Sequence, residues 1–173
     1  ADHGMKNKYD ENGEPYVCFL GSVLGSEARV VLPITDPYVK HHGALGGYAT
    51  VYVDGDVDSA KERLESARDD RVNFDVYKAK EASEMFELPI DRIGDLVVVA
   101  DRRTVLGITP EFHDFEQIPR LRTHGSLSEQ DVPLLSNFEL KEDRLSSRLQ
   151  NGTMRNFDIF DVLLNGGGNG NIY

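Results

Sequence analysis

The sequence predicts an α/β fold organised around a β-α-β-α-β block at residues 48–101. The segments "YATVYVD" (48–54) and "VNFDVYK" (72–78) alternate in the way that half-buried strands do. The run "GDLVVVAD" (94–101) is continuously apolar, which is typical of a central strand. Helical segments separate these strands. The block therefore predicts a small α+β layer in which two helices pack on one sheet.

The first predicted helix is "DVDSAKERLESARDD" (56–70), and Asp56 or Asp58 is its expected N-cap. Its apolar residues recur three or four positions apart, as one face of a helix requires; they are Val57, Ala60, Leu64 and Ala67. The second helix is "AKEASEMFEL" (79–88), and Pro89 stops it because proline cannot continue a helix.

The flanking segments complete the outline. Residues 1–15 are polar and rich in turn-forming residues, whereas "YVCFLG" (16–21) and "ARVVLPI" (28–34) have the length of strands. Residues 102–123 are irregular, and the charged residues 139–150 predict a helix or a helical turn. A terminal amphipathic helix is predicted at 154–165, with one apolar side formed by Phe157, Phe160, Val162, Leu163 and Leu164.

The composition bounds the function. The 173 residues carry 19 basic and 30 acidic side chains, a net charge of −11, which argues against nucleic acid or an anionic membrane as the main partner. A small anionic substrate is still possible, because one bound metal ion can make the local electrostatic potential positive. The single cysteine, Cys18, lies in an apolar run, which predicts a buried structural thiol and a reducing compartment. With no membrane span and no signal segment, we expect a cytoplasmic protein.

Two His-Gly corners are the candidate site residues. Asp2 and His3 precede Gly4 at the start of the chain, and His124 precedes Gly125 in "THGS". Imidazole nitrogen and carboxylate oxygen are ligands of hydrolytic zinc sites. Adjacent residues can share one metal only at a sharp bend, and Gly4 suits such a bend.

Simpler interpretations stand beside this one. An Asp-His pair alone is usually a solvated loop, and a histidine before glycine is usually a turn residue. The adjacent His41 and His42, in a glycine-rich loop, are either functional or merely exposed. Lys6 and Lys8 are either anion-binding or solvated loop lysines, and His113 in "EFHDF" predicts a loop histidine packed by aromatic rings. No serine or cysteine lies beside a recognisable base, so spacing identifies no nucleophile.

The two corners in combination resemble a known family. "ADHGM", then "VLPITDPYVKHHGALGG", then "THGSLSEQDVPLL" are similar to the C-terminal part of the phosphonoacetate hydrolases, which belong to the alkaline phosphatase and nucleotide pyrophosphatase superfamily. The resemblance covers roughly residues 1–165. It implies an alkaline-phosphatase-like α/β sheet with an inserted small α+β cap, and two zinc ions (Zn2+) per complete active site. Asp2 and His3 would bind one zinc, and His124 would be the last ligand of the other.

The resemblance also implies a division of the chain and a reaction. Residues 1–35 would belong to the metal-binding core, 36–115 to the cap and 116–165 to the return into the core, with 166–173 a flexible tail. The reaction would be hydrolysis of phosphonoacetate, a small anionic phosphonate substrate, to acetate and phosphate by a threonine nucleophile. That threonine and the remaining ligands precede the Asp2–His3 pair in the family.

The expected partner is therefore a missing N-terminal part of the same enzyme, without which the chain should be inactive. A homodimer is left open. Two rival hypotheses remain. One is a non-catalytic small α+β binding module, in which residues 48–101 are the functional part and both His-Gly motifs are loop accidents. The other keeps the superfamily but changes the substrate to another phosphonate or to a phosphate diester. Metal analysis distinguishes the enzyme hypothesis from the binding module. A substrate panel distinguishes phosphonoacetate from the other substrates.

Overall fold

A computed structural model describes residues 1–35, 45–113, 120–137, 148, 151–152 and 154–165. These residues belong to two compact units: His3–Asp131 forms one, and Ala1–Asp2 with Val132–Tyr173 forms the other. Nearly all of the predicted helix at 139–150, the tail at 166–173 and the pair His41–His42 lie outside the described residues.

The larger unit is built on a four-stranded sheet with the order β3-β4-β6-β5. The strands are β3 (Ala28–Val31), β4 (Tyr48–Val53), β5 (Phe74–Lys78) and β6 (Leu96–Ala100). Every neighbouring pair is antiparallel, and the register includes Val51 opposite Leu96 and Val76 opposite Val98. All five side chains of β6 are buried. The continuous apolar run therefore forms the central strand that the sequence predicts.

Two helices cover opposite faces of this sheet. The helix α2 (Val57–Ser66) buries Ala60 and Leu64 in the same cluster as Val51, Phe74 and Val98. The helix α3 (Ala79–Phe86) buries Ala82 on the other face, with Val97 and Val99 among its neighbours. The β-α-β-α-β order and the mixed α/β class are thus confirmed.

Local chemistry sets the ends of these helices. Asp56 is the N-cap of α2, and its carboxylate accepts a hydrogen bond from the backbone N–H of Asp58 at 3.0 Å. The helix α3 ends at Phe86, because Glu87 takes a left-handed conformation with φ of 55°. The predicted end at 88 is therefore two residues too late. Pro89 follows the helix and begins a separate 3-10 turn.

The first apolar run forms a strand and then turns into a helix. The strand β2 (Val17–Phe19) pairs in parallel with β7 (Val105–Gly107), which lies in the segment predicted to be irregular. The helix α1 (Leu20–Leu24) follows at once and buries both of its leucines. Cys18 is 5% exposed, so the predicted buried thiol is confirmed.

The smaller unit contains the helix α4 (Ile159–Asn165), preceded by a 3-10 turn over Asn156–Asp158. The predicted terminal helix is therefore confirmed over its second half only. Of the five residues predicted for its apolar side, Val162 is buried, whereas Phe157, Phe160, Leu163 and Leu164 are exposed. No helix among the described residues is long and apolar enough to cross a membrane.

Candidate functional site

A short antiparallel ladder brings the two His-Gly corners together. The strand β1 (Lys6–Asn7) pairs with β8 (Arg122–Thr123), with Lys6 opposite Thr123. His3 lies three residues before β1, and His124 follows β8 directly. We call the segments 3–8 and 121–129 the polar junction. Residues at opposite ends of the larger unit's sequence thus become neighbours.

The two imidazole rings lie face to face at this junction. The ring centroids of His3 and His124 are 3.7 Å apart, and the planes differ by 14°. His3 is exposed and His124 is partly exposed, so small molecules can reach both rings. Two sequence-predicted site residues separated by about 120 positions therefore share one surface site.

A hydrogen bond within its own loop orients the ring of His3. Nδ1 of His3 lies 2.9 Å from the carbonyl oxygen of Gly4. A carbonyl oxygen only accepts, so Nδ1 carries the proton and donates. In the neutral imidazole Nε2 then holds the lone pair. Metal-binding histidines use this arrangement, because a hydrogen bond from the second nitrogen fixes the tautomer and the ring orientation.

Two glycines allow the turn after His124. Gly125 has φ of 107°, a conformation that L side chains rarely adopt. Gly47, from the loop before β4, packs so closely that a Cβ there would lie 2.8 Å from the backbone nitrogen of Ser126. The N–H of Gly47 also donates to the carbonyl oxygen of His124 at 2.8 Å. Part of the "GALGG" segment thus supports the His124 turn, a role that its sequence did not indicate.

A buried ion pair holds the polar junction. Lys8 is 0% exposed and Glu129 is 2% exposed, and Nζ of Lys8 lies 3.3 Å from Oε1 of Glu129. Nζ also donates to the carbonyl oxygen of Asp101 and to Oγ of Ser126, each at 3.3 Å. The prediction that Lys8 is either anion-binding or solvated is therefore wrong, because its ammonium group binds partners inside the protein.

The carboxylate of Glu129 also accepts hydrogen bonds from two serines. Oε2 accepts hydrogen bonds from the N–H and the Oγ of Ser126 at 2.8 and 2.5 Å, and Oε1 accepts one from Oγ of Ser128 at 2.5 Å. The spacing Ser126-x-x-Glu129 is a capping box over the 3-10 turn Leu127–Glu129. That spacing is visible in "SLSE", so it was the sequence signal that could have identified Glu129.

Burial and hydrogen bonding act on the two charges differently. Burial lowers the pKa of Lys8 below its ordinary value, against the attraction of Glu129, because desolvation disfavours the charged amine. Burial alone would raise the pKa of Glu129. The hydrogen bonds from Ser126 and Ser128, with the charge of Lys8, outweigh it and hold that pKa below the ordinary value. Glu129 is thus a carboxylate at neutral pH.

The remaining candidates occupy different places. Asp2 is exposed and belongs to the smaller unit with Val132–Tyr173. His113 is buried, accepts a hydrogen bond from the N–H of Ile108 at Nε2, and contacts the rings of Phe19 and Phe112. Lys6 is partly exposed. Within the described ranges, no group of three or more His, Cys, Asp or Glu side chains is placed to hold a metal ion.

Comparison with solved structures identifies a relative. The crystal structure of phosphonoacetate hydrolase from Sinorhizobium meliloti 1021 in complex with phosphonoacetate is 39% identical to this chain, with a TM-score of 0.69 over 92% of the chain. The resemblance to phosphonoacetate hydrolase is confirmed. The structure of that phosphonoacetate hydrolase with phosphonoformate matches over the same share of the chain at 38% identity, with a TM-score of 0.68.

The match covers only part of the relative. The chain spans 39% of the length of each of those phosphonoacetate hydrolase chains. No protein-family model matches the chain. The similarity therefore supports a common fold over nearly all of this chain, and it leaves most of the length of phosphonoacetate hydrolase without a counterpart in it.

Proposed function

We propose that this chain is the part of a zinc-dependent phosphonoacetate hydrolase that supplies Asp2, His3 and His124 as metal ligands. The observation that carries the proposal is the face-to-face contact of His3 and His124, 3.7 Å between ring centroids, in a chain 38–39% identical to phosphonoacetate hydrolase. A non-catalytic module would have no need to bring these two imidazoles to one surface site.

The donor chemistry of these residues fits zinc. Two imidazoles and a carboxylate are nitrogen and oxygen donors of the kind that hydrolytic zinc sites use. The hydrogen bond from Nδ1 of His3 supports the fit, because a bond of this kind fixes the ring orientation of metal-binding histidines. When bound, zinc ions supply Lewis-acid stabilisation of the negative charge on the phosphoryl oxygens. Asp2 and His3 would hold one ion, and His124 the other.

The substrate is a small phosphonate dianion or trianion, and the charge of the chain bears on how it binds. The net charge of −11 disfavours the approach of such an anion to the chain as a whole. Lys8 is buried against Glu129 and is not available to bind it. Metal ions would supply positive charge that attracts the phosphonate.

The rest of the active site is assigned to a further part of the same enzyme. We propose that it carries the threonine nucleophile and the remaining metal ligands, and that this chain alone is inactive. Residues 36–115 form the cap, residues 1–35 and 116–165 belong to the metal-binding core, and the enzyme is cytoplasmic. The coverage supports only the assignment of further residues to another part of the enzyme, because the chain spans 39% of the phosphonoacetate hydrolase chain.

The test is reconstitution. The chain is mixed with the remaining part of the enzyme and zinc, and phosphate and acetate released from phosphonoacetate are measured. We expect activity only from the mixture. The variants His3→Ala, His124→Ala and Asp2→Asn should each lower it by about 100-fold or more, because each removes a ligand of an ion that stabilises the transition state.

The matched control is Asp70→Asn, which removes an exposed carboxylate of the larger unit and should leave activity unchanged. Full activity in both histidine variants would show that the site assignment is wrong. Release of phosphate from other phosphonates or from phosphate diesters, but not from phosphonoacetate, would keep the site and change the substrate.

A further inference from the structure

The ion pair Lys8–Glu129 is placed to act on both imidazoles. The two residues are 121 positions apart in the sequence, and both side chains are almost completely buried. A buried ion pair is often no more stabilising than apolar side chains of the same volume, because both charges lose their hydration. Stability alone therefore does not account for this pair, whereas its hydrogen bonds have a definite geometry.

One end of the network reaches His3. The backbone carbonyl oxygen of Glu129 accepts a hydrogen bond from the N–H of Gly4 at 2.7 Å, directly after His3. Lys8, five residues after His3, is fixed by Glu129 and by the carbonyl oxygen of Asp101 at the end of β6. Both ends of the segment 4–8, which follows His3, are thus attached to Glu129.

The other end reaches His124. The carboxylate of Glu129 binds the N–H and the Oγ of Ser126, two residues after His124, and Nζ of Lys8 binds the same Oγ. The turn that carries His124 is therefore fixed by the same two side chains. The backbone pairings in the described residues that connect the two segments are the two-residue ladder, the Gly4–Glu129 bond and the bond from the N–H of Lys8 to the carbonyl oxygen of Leu121 at 3.0 Å.

We infer that Lys8 and Glu129 are positioning residues that set the distance between the imidazoles of His3 and His124. The functional reason for fixing that distance rests on the proposed function, because a metal site needs its ligands in position before the metal binds. The geometric claim does not depend on it. Removing the charges should let the two segments shift while the apolar sheet stays folded.

The test compares the chain with two variants. Glu129→Gln keeps the size of the side chain and removes its charge, and Lys8→Met/Glu129→Gln removes both charges. The first measurement is the nuclear Overhauser contact between the ring protons of His3 and His124. We expect it to be strong in the wild type and at least severalfold weaker in both variants. The second is zinc affinity with Zn2+ alone, which should fall about tenfold, as for groups that orient metal ligands.

The matched control is the exposed pair Glu27–Arg63, with 3.1 Å between Oε2 and the guanidinium. Glu27→Gln/Arg63→Met should change neither measurement. If the network has only a structural role, the variants melt earlier but keep the ring contact and the zinc affinity below their melting temperature, and the inference is overturned. A weak ring contact in the wild type overturns it as well.

The two proposals fail in different ways. The proposed function is contradicted if the wild-type chain keeps the ring contact but neither binds zinc nor restores hydrolysis in the mixture. In that case, loss of the ring contact in the variants still supports the inference. If Glu129→Gln does not fold, Lys8→Met/Glu129→Gln carries the test, because it leaves no unpaired buried charge. An unchanged ring contact in that double variant overturns the inference.

Discussion

The four-stranded sheet and the polar junction are held by opposite kinds of force. In the sheet, β6 is buried along its whole length, and its side chains belong to the apolar clusters on the two faces. In the junction, the most deeply buried side chain is Lys8, and its partners are a carboxylate, a hydroxyl and a carbonyl oxygen. Both regions exclude water, but only the junction does so with charges.

The two regions should therefore differ in how well they tolerate substitutions. Apolar burial is non-directional and roughly proportional to area, so a sheet face accepts any side chains of similar volume. A buried polar network depends on every partner, because one group left unpaired keeps its full desolvation penalty. The sheet is therefore a robust scaffold, whereas the junction has a single defined geometry. The predictions below test this contrast.

The largest effect is expected for Glu129→Ala, which leaves the buried amine of Lys8 without its counter-charge. Breaking a buried pair in this way costs about 3–5 kcal/mol of unfolding free energy, measured by urea denaturation at pH 7. In the sheet layer, Leu64→Ala should cost about 2–5 kcal/mol through the cavity that it leaves.

A second substitution separates the two cases. Adding Lys8→Met to a Glu129→Leu variant should recover much of the lost stability, because it removes the unpaired charge. If that double variant is as unstable as Glu129→Ala, charge is not what holds the junction and the contrast with the sheet fails.

An intermediate effect is expected for Gly47→Ala. The new methyl group would meet the backbone nitrogen of Ser126, which cannot move without shifting the His124 turn. Overpacking of this kind costs about 1–3 kcal/mol. The matched control is Gly55→Ala in the turn after β4, where a Cβ meets nothing within 4 Å and stability should change by less than about 1 kcal/mol. Equal melting temperatures for the two variants would contradict the close packing at Gly47.

A smaller effect is expected in the sheet layer for Asp56→Ala. The variant removes the side-chain acceptor for the N–H of Asp58 at the start of α2, which costs about 1 kcal/mol. Thermal unfolding measures it, with the exposed Asp70→Ala as the control. A loss as large as that of Glu129→Ala would mean that the sheet layer is no more tolerant than the junction.

The last prediction concerns the pH dependence of stability rather than its size at neutral pH. The folded-state pKa of Glu129 lies below its ordinary value of 4.5, so between the two values the unfolded chain binds more protons. This contribution is fully present above pH 4.5 and is lost as the pH falls through the folded-state pKa. Glu129→Gln should therefore flatten the loss of stability below that pH, measured by urea unfolding from pH 6 to 3.

Periodicity predicted the sheet layer because its forces leave a pattern in the sequence. The three strands and two helices between residues 48 and 100 were identified from alternation, a continuous apolar run and three-to-four spacing. What these patterns could not give is which face of the sheet each helix covers. They also missed the start of α1 directly after β2. The run "YVCFLG" is apolar throughout, so its pattern is compatible with a buried strand or a buried helix.

The junction was predicted only in part. The His-Gly motifs and the family resemblance identified His3 and His124, whose rings the structure brings together. Lys8 was misjudged because a lysine in a polar segment is normally solvated, and nothing local shows that its counter-charge lies 121 residues away. Asp2 as a ligand, two zinc ions and the boundaries of the cap stay predictions.

The ladder between β1 and β8 has a consequence for the order of folding. It closes a loop of well over one hundred residues with only two residues on each strand. The chain entropy lost in closing a loop of that length is on the order of 4 kcal/mol, which so short a pairing cannot offset by itself. The sheet must therefore form first and bring the loop ends near each other. In refolding, contact between the two imidazoles should accordingly be among the last signals to appear.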